Sequence, residues 1–506
     1  MSWARNAAIC EDETLIDAYR TALRILERHV AAVPPSQRLE IVGNDISSLA
    51  SKAFSQCFAH GALETAVELL EQGRTVLWSH LSRFQTPLDD LSGLNTLGES
   101  LSVEFRKLST ALRQTQDPLE FYKLKKEWED VIKRIREFPG FSRFLLYPLY
   151  ADLEKAAQCG PVIIVNASVY SCEALIIFQQ RYPFPIPFEL SPAALSRLSE
   201  QFREVTEGPA PAEQKRNEIV FILRKLWTAV VEPIVDALVK RFFLPRRSRI
   251  WLCPTGEFMR LPLHAAGLYS KKGAKLTDYY VPSYTPTLAA LIRSRQGITM
   301  SQHDHIRERF LAIGQHSPYE GKELRSVPDE LNALKGLVAP TMDFTVLEGD
   351  AATTGNVLEA FKRNGWVHLA CHGRPNPNEP FESSFAMRNG PLTLTEIIKA
   401  NLPSAEFAFL SACHTAVPDE WTPDEMIHLA AGMQFSGFRG VIGTMWAVDD
   451  SVVKYMVTAF YDELLKDGRK LDASRAAEAL HKAIKRVSND KTVPLEQRIV
   501  LIHIGI

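Results

Sequence analysis

The chain has no long apolar run. Across its 506 residues no predominantly apolar stretch reaches the ~18 residues needed to cross a bilayer; the uncharged stretch Ala156 to Cys172 is interrupted by Gln158, Gly160, Pro161, Asn166 and Ser168. The first residues, Met1 to Leu15, carry Glu11, Asp12 and Glu13 where a secretory leader needs an apolar centre. Charge of one sign is also missing: 58 Lys and Arg against 60 Asp and Glu leave a net charge of −2, so no overall field holds a polyanion or an anionic membrane. Cysteine is sparse. Cys10, Cys57, Cys159, Cys172, Cys253, Cys371 and Cys413 are dispersed, odd in number and without any C-x-x-C pair, unlike a disulfide framework or a zinc ribbon. No G-x-S-x-G elbow, P-loop or G-x-G-x-x-G phosphate cradle is present. These absences lead us to expect a soluble cytoplasmic protein in a reducing compartment, with no membrane span, nucleic-acid partner or cofactor.

What is present divides into regions of different period, and the length alone suggests roughly three units of structure. From Leu15 to Val30 the set Leu15, Tyr19, Leu23, Leu26 and Val30 recurs at three or four residues, the spacing of one helical face. Pro34 and Pro35 break the pattern, and a second helix is predicted from Gln37 to His60, with Gly61 placed for a left-handed C-terminal cap. Further helices are predicted over Leu63 to Leu81, Leu101 to Leu112 and Leu119 to Phe138. The helix pair around Gly61, with Ala62 and Ala66 at its close approach, resembles a tetratricopeptide unit, although any all-α bundle also fits. The interleaved Lys123, Lys125, Lys126, Lys133 and Arg134 read as a solvated face. No constellation of polar residues in this region suits chemistry, so its expected role is recognition or regulation.

After Gly160 the period changes. The runs at 161–166, 173–178, 249–253 and 279–284 are short, apolar and bounded by Pro or Gly, as expected of strands buried on both faces. The Pro-rich segment Tyr182 to Pro192 reads as a surface loop, and Pro233 should kink the apolar helix Ile219 to Phe243 or mark a junction. The basic group Lys240, Arg241, Arg246, Arg247 and Arg249 reads as a solvated loop. From Arg309 onward strand and helix alternate: strands at 309–314, 343–348, 366–371, 406–413 and 440–448, helices between them, and a hairpin at Asn389-Gly390. Such alternation predicts a parallel sheet covered by helices, with reactive groups at the carboxyl ends of its strands.

Two of those strands end in suggestive residues. The strand at 366–371 runs into His372-Gly373, and the strand at 406–413 ends on Cys413. Parallel pairing would bring imidazole and thiol to one edge, where the imidazole raises the thiolate fraction and can protonate a leaving amine. Gly373 lets a substrate carbonyl approach, and the amides of Gly373 and Cys413 are candidates for stabilising an oxyanion. Two other readings stand beside this one. A cysteine at a strand end is commonly structural. A zinc site from Cys371, His372, Cys413 and His414 has suitable residue types, but strand alternation sends neighbouring residues to opposite faces. His368 and Cys371 are expected to pack inside the sheet, and His264 is expected to be a packing histidine.

The segments VHLACHG, FAFLSACHTA and DEMIHLAAGMQFSGFRGVIGTMWAVDD resemble the CHAT domain, a caspase-like cysteine peptidase family related to separase, and are especially similar to its fungal members. The similarity runs from about residue 160 to the terminal LIHIGI, while the first third resembles the tetratricopeptide-type segments that often precede CHAT domains. This resemblance implies an α/β caspase-like fold for residues 159–506, with a catalytically silent half at 159–300 and an active half at 301–506, after a helical tetratricopeptide-like domain at 1–158. It implies His372 as general acid and base, Cys413 as nucleophile, and a cysteine endopeptidase acting on protein substrates, with a role in defence or cell death.

The loops after the candidate strands are acidic: Asp419 and Glu420, with Asp424 and Glu425, follow the cysteine, and Asp449 and Asp450 follow Trp446. A desolvated carboxylate there would favour Arg or Lys before the scissile bond. Asp424, Glu425, Asp449 and Asp450 equally suit helix N-termini, where acids complement the dipole. The N-terminal helices are expected to bind a regulatory protein. A non-catalytic adaptor, and acyl transfer on a small molecule, remain as other function classes.

Overall fold

A computed structural model of the chain describes residues 14–32, 47–74, 91, 94–115, 117–139, 141–142, 144–296, 309–317, 323–376, 380–400, 402, 405–411, 429–468, 470–490 and 492–506. Cys10, Cys413, His414, Thr415, Asp419, Glu420, Asp424, Glu425 and His428 lie outside these residues, as do the predicted helix ends at 37–46 and 75–81. The chain divides into two units, Met1–Leu153 and Glu154–Ile506.

The first unit is helical, with helices Leu15–Ala32, Ser47–Ala59, Leu63–Arg74, Thr96–Gln114 and Pro118–Arg136. The turn at Gly61 forms as its residue type requires. Gly61 has φ +72°, and the Ala62 amide donates back to the Cys57 carbonyl at 2.9 Å, closing the end of the preceding helix. The two helices that flank it pack closely: a Cβ on Gly73 would stand 2.4 Å from that of Ala50. A second cluster joins Phe105, Leu112, Trp128 and Ile135, with the Trp128 indole N–H donating to Ser109 Oγ at 2.9 Å.

The second unit is built on one sheet of eleven strands. They are β1 (Val162–Ala167), β2 (Cys172–Ile177), β3 (Phe184–Pro187), β4 (Arg249–Pro254), β5 (Val281–Tyr284), β6 (Arg309–Gly314), β7 (Asp343–Glu348), β8 (Trp366–Ala370), β12 (Phe407–Leu410), β13 (Gly440–Thr444) and β14 (Leu501–Gly505). A small second sheet holds β9 (Gly373–Arg374), β10 (Ser384–Met387) and β11 (Gly390–Thr393). The order is β3-β2-β1-β4-β5-β14-β13-β12-β8-β6-β7. β1, β2, β8, β12 and β13 are buried along their whole lengths, as apolar runs without alternation predict.

The sheet as a whole is mixed, which corrects the expectation of a parallel one, although the alternating strands after Arg309, β6, β7, β8, β12 and β13, are parallel as predicted. β1, β4, β5 and β14 run parallel to one another, and β13, β12, β8, β6 and β7 do likewise, but β13 and β14 are antiparallel and join the two sets in opposite directions. β2 and β3 add a further antiparallel meander. The Pro-rich segment read as a loop contributes β3. It is an edge strand, where proline is tolerated because no outer partner needs its missing N–H. Pro233 is accommodated by π-helical turns at Trp227–Val231 and Ala237–Arg241 on either side of Glu232–Asp236.

The basic group at 240–249 is not uniformly solvated. Arg249 opens β4 with its guanidinium 4.8 Å from the Trp251 ring, donating to Ser283 Oγ at 2.8 Å, and burial lowers its pKa to about 10. His264 packs as expected. Its Nε2 lies 2.9 Å from the Ile499 carbonyl and its Nδ1 2.9 Å from the Tyr284 hydroxyl.

Candidate active site

The site lies where β8 and β12 end side by side. The two strands pair in parallel with Leu369 opposite Leu410, and the Ser411 amide donates to the Leu369 carbonyl at 2.8 Å. β8 stops at Ala370, so strand alternation does not govern the two residues that follow. Cys371 and His372 both line one cavity, together with Ser411, Glu330, Val327 and Val448. The cavity measures about 20 Å³, room for a single water molecule.

His372 is half-buried and continues into β9, its carbonyl accepting from the Ala386 amide at 2.9 Å. Gly373 stands opposite Phe385. Hydrogen-bonded and non-hydrogen-bonded pairs alternate along an antiparallel ladder, so this pair is a non-hydrogen-bonded one and the Gly373 N–H is turned away from β10. That orientation leaves the Gly373 N–H outside the β9–β10 ladder.

Cys371 is 1% exposed, and burial, followed by the neighbouring Glu330, pushes its thiol well above the ordinary range. It is a packing cysteine, as expected. His368 is fully buried, its Nε2 2.7 Å from Glu330 Oε1 and its ring 5.2 Å from that of Phe409. Tyr461 lies on its other side, with the hydroxyl 3.5 Å from Nδ1. Burial, and then Glu330, raises the pKa of this phenol, so it stays protonated.

Glu330 and Ser411 were not singled out in the sequence. Glu330 falls on the apolar stripe Val327, Leu331, Leu334 and Val338 of helix Val327–Val338, and a carboxylate on that stripe is the overlooked signal of an inward-facing residue. Asp449 is exposed. Its carbonyl accepts from the Val452 and Val453 amides at the start of helix Asp450–Leu465, where acids suit the dipole. Among the described residues no group of three or more His, Cys, Asp or Glu side chains is placed to hold a metal ion. Among the described residues no helix is long and apolar enough to cross a membrane.

Residues 221–499, more than half of the chain, match the CHAT domain. The chain belongs to the CHAT-domain family. The resemblance to this family implied a caspase-like sheet covered by helices after a helical region; helices do flank the sheet, which is mixed rather than parallel. No curated protein matches the chain. Among solved structures, this CHAT protein is similar to the Arg-specific cysteine proteinase gingipain R, with 11% identity and a TM-score of 0.38 over 61% of this chain and 74% of that one. It is also similar to Saccharomyces cerevisiae separase in complex with securin, with 11% identity and a TM-score of 0.47 over 97% of this chain and 40% of that one. The CHAT protein thus spans two fifths of the separase chain.

Proposed function

We propose that this CHAT protein is a cysteine endopeptidase in which His372 and Cys413 form the catalytic dyad. The observation that carries the reading is the register of β8 on β12. Leu410 stands opposite Leu369, forty-one positions earlier, and Cys413 follows His372 in the sequence by the same interval. Ser411, two residues before the cysteine, already shares a cavity with His372. Family membership supports the thiol chemistry, and the burial of Cys371 argues against that neighbour as the nucleophile.

In this mechanism the imidazole of His372 takes the Cys413 proton and the thiolate adds to the scissile carbonyl. The N–H groups of Gly373 and Cys413 receive the oxyanion. The imidazolium then gives its proton to the departing amine, leaving a thioester that water hydrolyses with His372 as base. The acidic residues Asp419, Glu420, Asp449 and Asp450 would favour a basic residue before the cleaved bond.

The proposal extends to organisation. Residues 159–506 form the peptidase domain and contain a silent half, 159–300, without a His and Cys pair of its own, beside an active half, 301–506. Residues 1–158, tetratricopeptide-like in character, bind a regulatory protein. Substrates would be cytoplasmic proteins of defence or cell death.

A thiol-reactive acyloxymethyl ketone tests the dyad. The wild type and Cys371→Ala should both be labelled, and Cys413→Ala should not. Unlabelled wild-type protein that still binds partners through its helices would favour a non-catalytic adaptor instead.

A further inference from the structure

The large sheet ends differently on its two sides. One outer strand is β3, four residues long and interrupted by Pro185 and Pro187, so it cannot extend a regular ladder outward. The other is β7, six residues without proline, bonded among the described residues to β6 alone. Its side chains are exposed or half-buried throughout, and Val346 is 37% exposed. Sheets otherwise blunt such an edge with proline, a bulge or lysine, because a free row of N–H and C=O groups pairs with any extended chain. The centre of β7, Phe344 to Leu347, contains none of these.

A groove of about 340 Å³ lies beside this strand, between Asp343, Thr345 and Leu347 on β7 and the helix Thr354–Phe361. Asn364 lines it and is 5% exposed. Its Nδ2 donates to the Ala360 carbonyl at 2.8 Å, while its Oδ1 is buried with no hydrogen-bond partner. A buried acceptor without a donor is costly and calls for an N–H from outside. Pairing of two copies of β7 antiparallel about their centres would set Asp343 of each against Glu348 of the other, and like charges directly opposite are unfavourable. Arg309 Nε lies 3.5 Å from Asp343 Oδ2 at the start of β7, whereas Glu348 at its end is exposed and is in no ion pair among the described residues. An incoming strand with a basic side chain at that point is therefore complementary, and a second copy is not.

We propose that β7 is a docking edge for an extended segment of a protein substrate, which adds as a further strand and carries a basic residue where it passes Glu348. The assignment of the docked segment as substrate rests on the peptidase reading. Ala370 of β8, Gly314 of β6 and Glu348 of β7 form one register row. Two strand spacings of ~4.8 Å therefore separate Glu348 from the end of β8, and a chain leaving β7 emerges on the same sheet edge as His372.

The test uses the full chain carrying Cys413→Ala, so that binding is measured without turnover. The probes are two acetylated, amidated peptides of alternating Val and Thr, one flanked by Lys and one by Glu. The Lys peptide should bind roughly two- to fivefold more tightly than the Glu peptide, and should slow backbone hydrogen exchange over Asp343–Glu348. Glu348→Lys should invert that preference. Val346→Lys, which places a charge at the centre of the exposed edge, should abolish binding, with its circular dichroism and thermal midpoint checked against the parent. Equal affinity for both peptides, a preference that Glu348→Lys leaves unchanged, or binding without protection of β7 would overturn the docking edge. Unlabelled Cys413 in the ketone experiment, with peptide binding intact, would remove the peptidase reading and leave the edge standing.

Discussion

His368 Nε2 lies 2.7 Å from Glu330 Oε1, both side chains are buried, and Glu330 lines the same cavity as His372. The pair ties helix Val327–Val338 to β8 at the floor of the candidate site. Glu330→Leu removes the acceptor and leaves a buried imidazole N–H unpaired, with an expected cost of about 1–3 kcal/mol. Chemical denaturation should show that loss, and adding His368→Phe should recover part of it. Two residues that contact each other are non-additive in this way, and simple summation of the two losses would count against the pairing.

Thiol accessibility separates the cysteines. Cys159 is exposed, whereas Cys57, Cys172, Cys253 and Cys371 are buried. Burial raises the thiols of Cys57 and Cys172 to about 12 and carries that of Cys371 higher still. In the native protein a maleimide should modify Cys159 at once and these four only after unfolding, which peptide mapping of the alkylated chain reports.

Stability should fall in acid before the carboxylates titrate. Burial lowers His264 from 6.5 to about 4, against a smaller opposing effect of its hydrogen bond to the Ile499 carbonyl. Because the folded-state pKa is depressed, the unfolded chain takes up the proton first. Stability is therefore complete above pH 6.5 and is lost progressively toward pH 4, by about 3 kcal/mol from this residue. His503, held well below its usual value by burial and then by Arg249, acts in the same direction. Urea denaturation between pH 7.5 and 4.5 should show a smaller acid loss for His264→Gln than for the wild type.

The left-handed turn at Gly61 gives a prediction for the first unit. No atom lies within 4 Å of the position a Cβ would take there, so Gly61→Ala meets only the backbone strain of φ +72°. A loss of about 1–2 kcal/mol is expected, and less for Asn, which tolerates this conformation better. Thermal unfolding of the two variants should rank them in that order.

Much of the second unit was legible because buried strands are written as unbroken apolar runs. β1, β2, β4, β6 and β8 stand within a residue or two of where those runs predict. The hairpin at Asn389-Gly390 forms as well, with Met387 opposite Gly390. β3 was missed because two prolines in four residues read as a loop, and only a position at the sheet edge makes them compatible with a strand. In the first unit, helical spacing and Gly61 identified the helices, but spacing does not distinguish a repeat from another bundle.

Sequence by itself determined which residue types meet which chemistry: a histidine followed by glycine after one buried strand, a cysteine in the continuation of another, and the apolar periods that make those segments strands and helices. Tertiary structure decided strand direction and neighbourhood. The antiparallel insertion of β14 between β5 and β13 reverses half of the sheet, and no local period records it, because side-chain alternation is the same whichever way the neighbouring strand runs. The shared cavity of Cys371, His372, Ser411 and Glu330 was decided in the same way, by where β8 stops and which helix face covers its end.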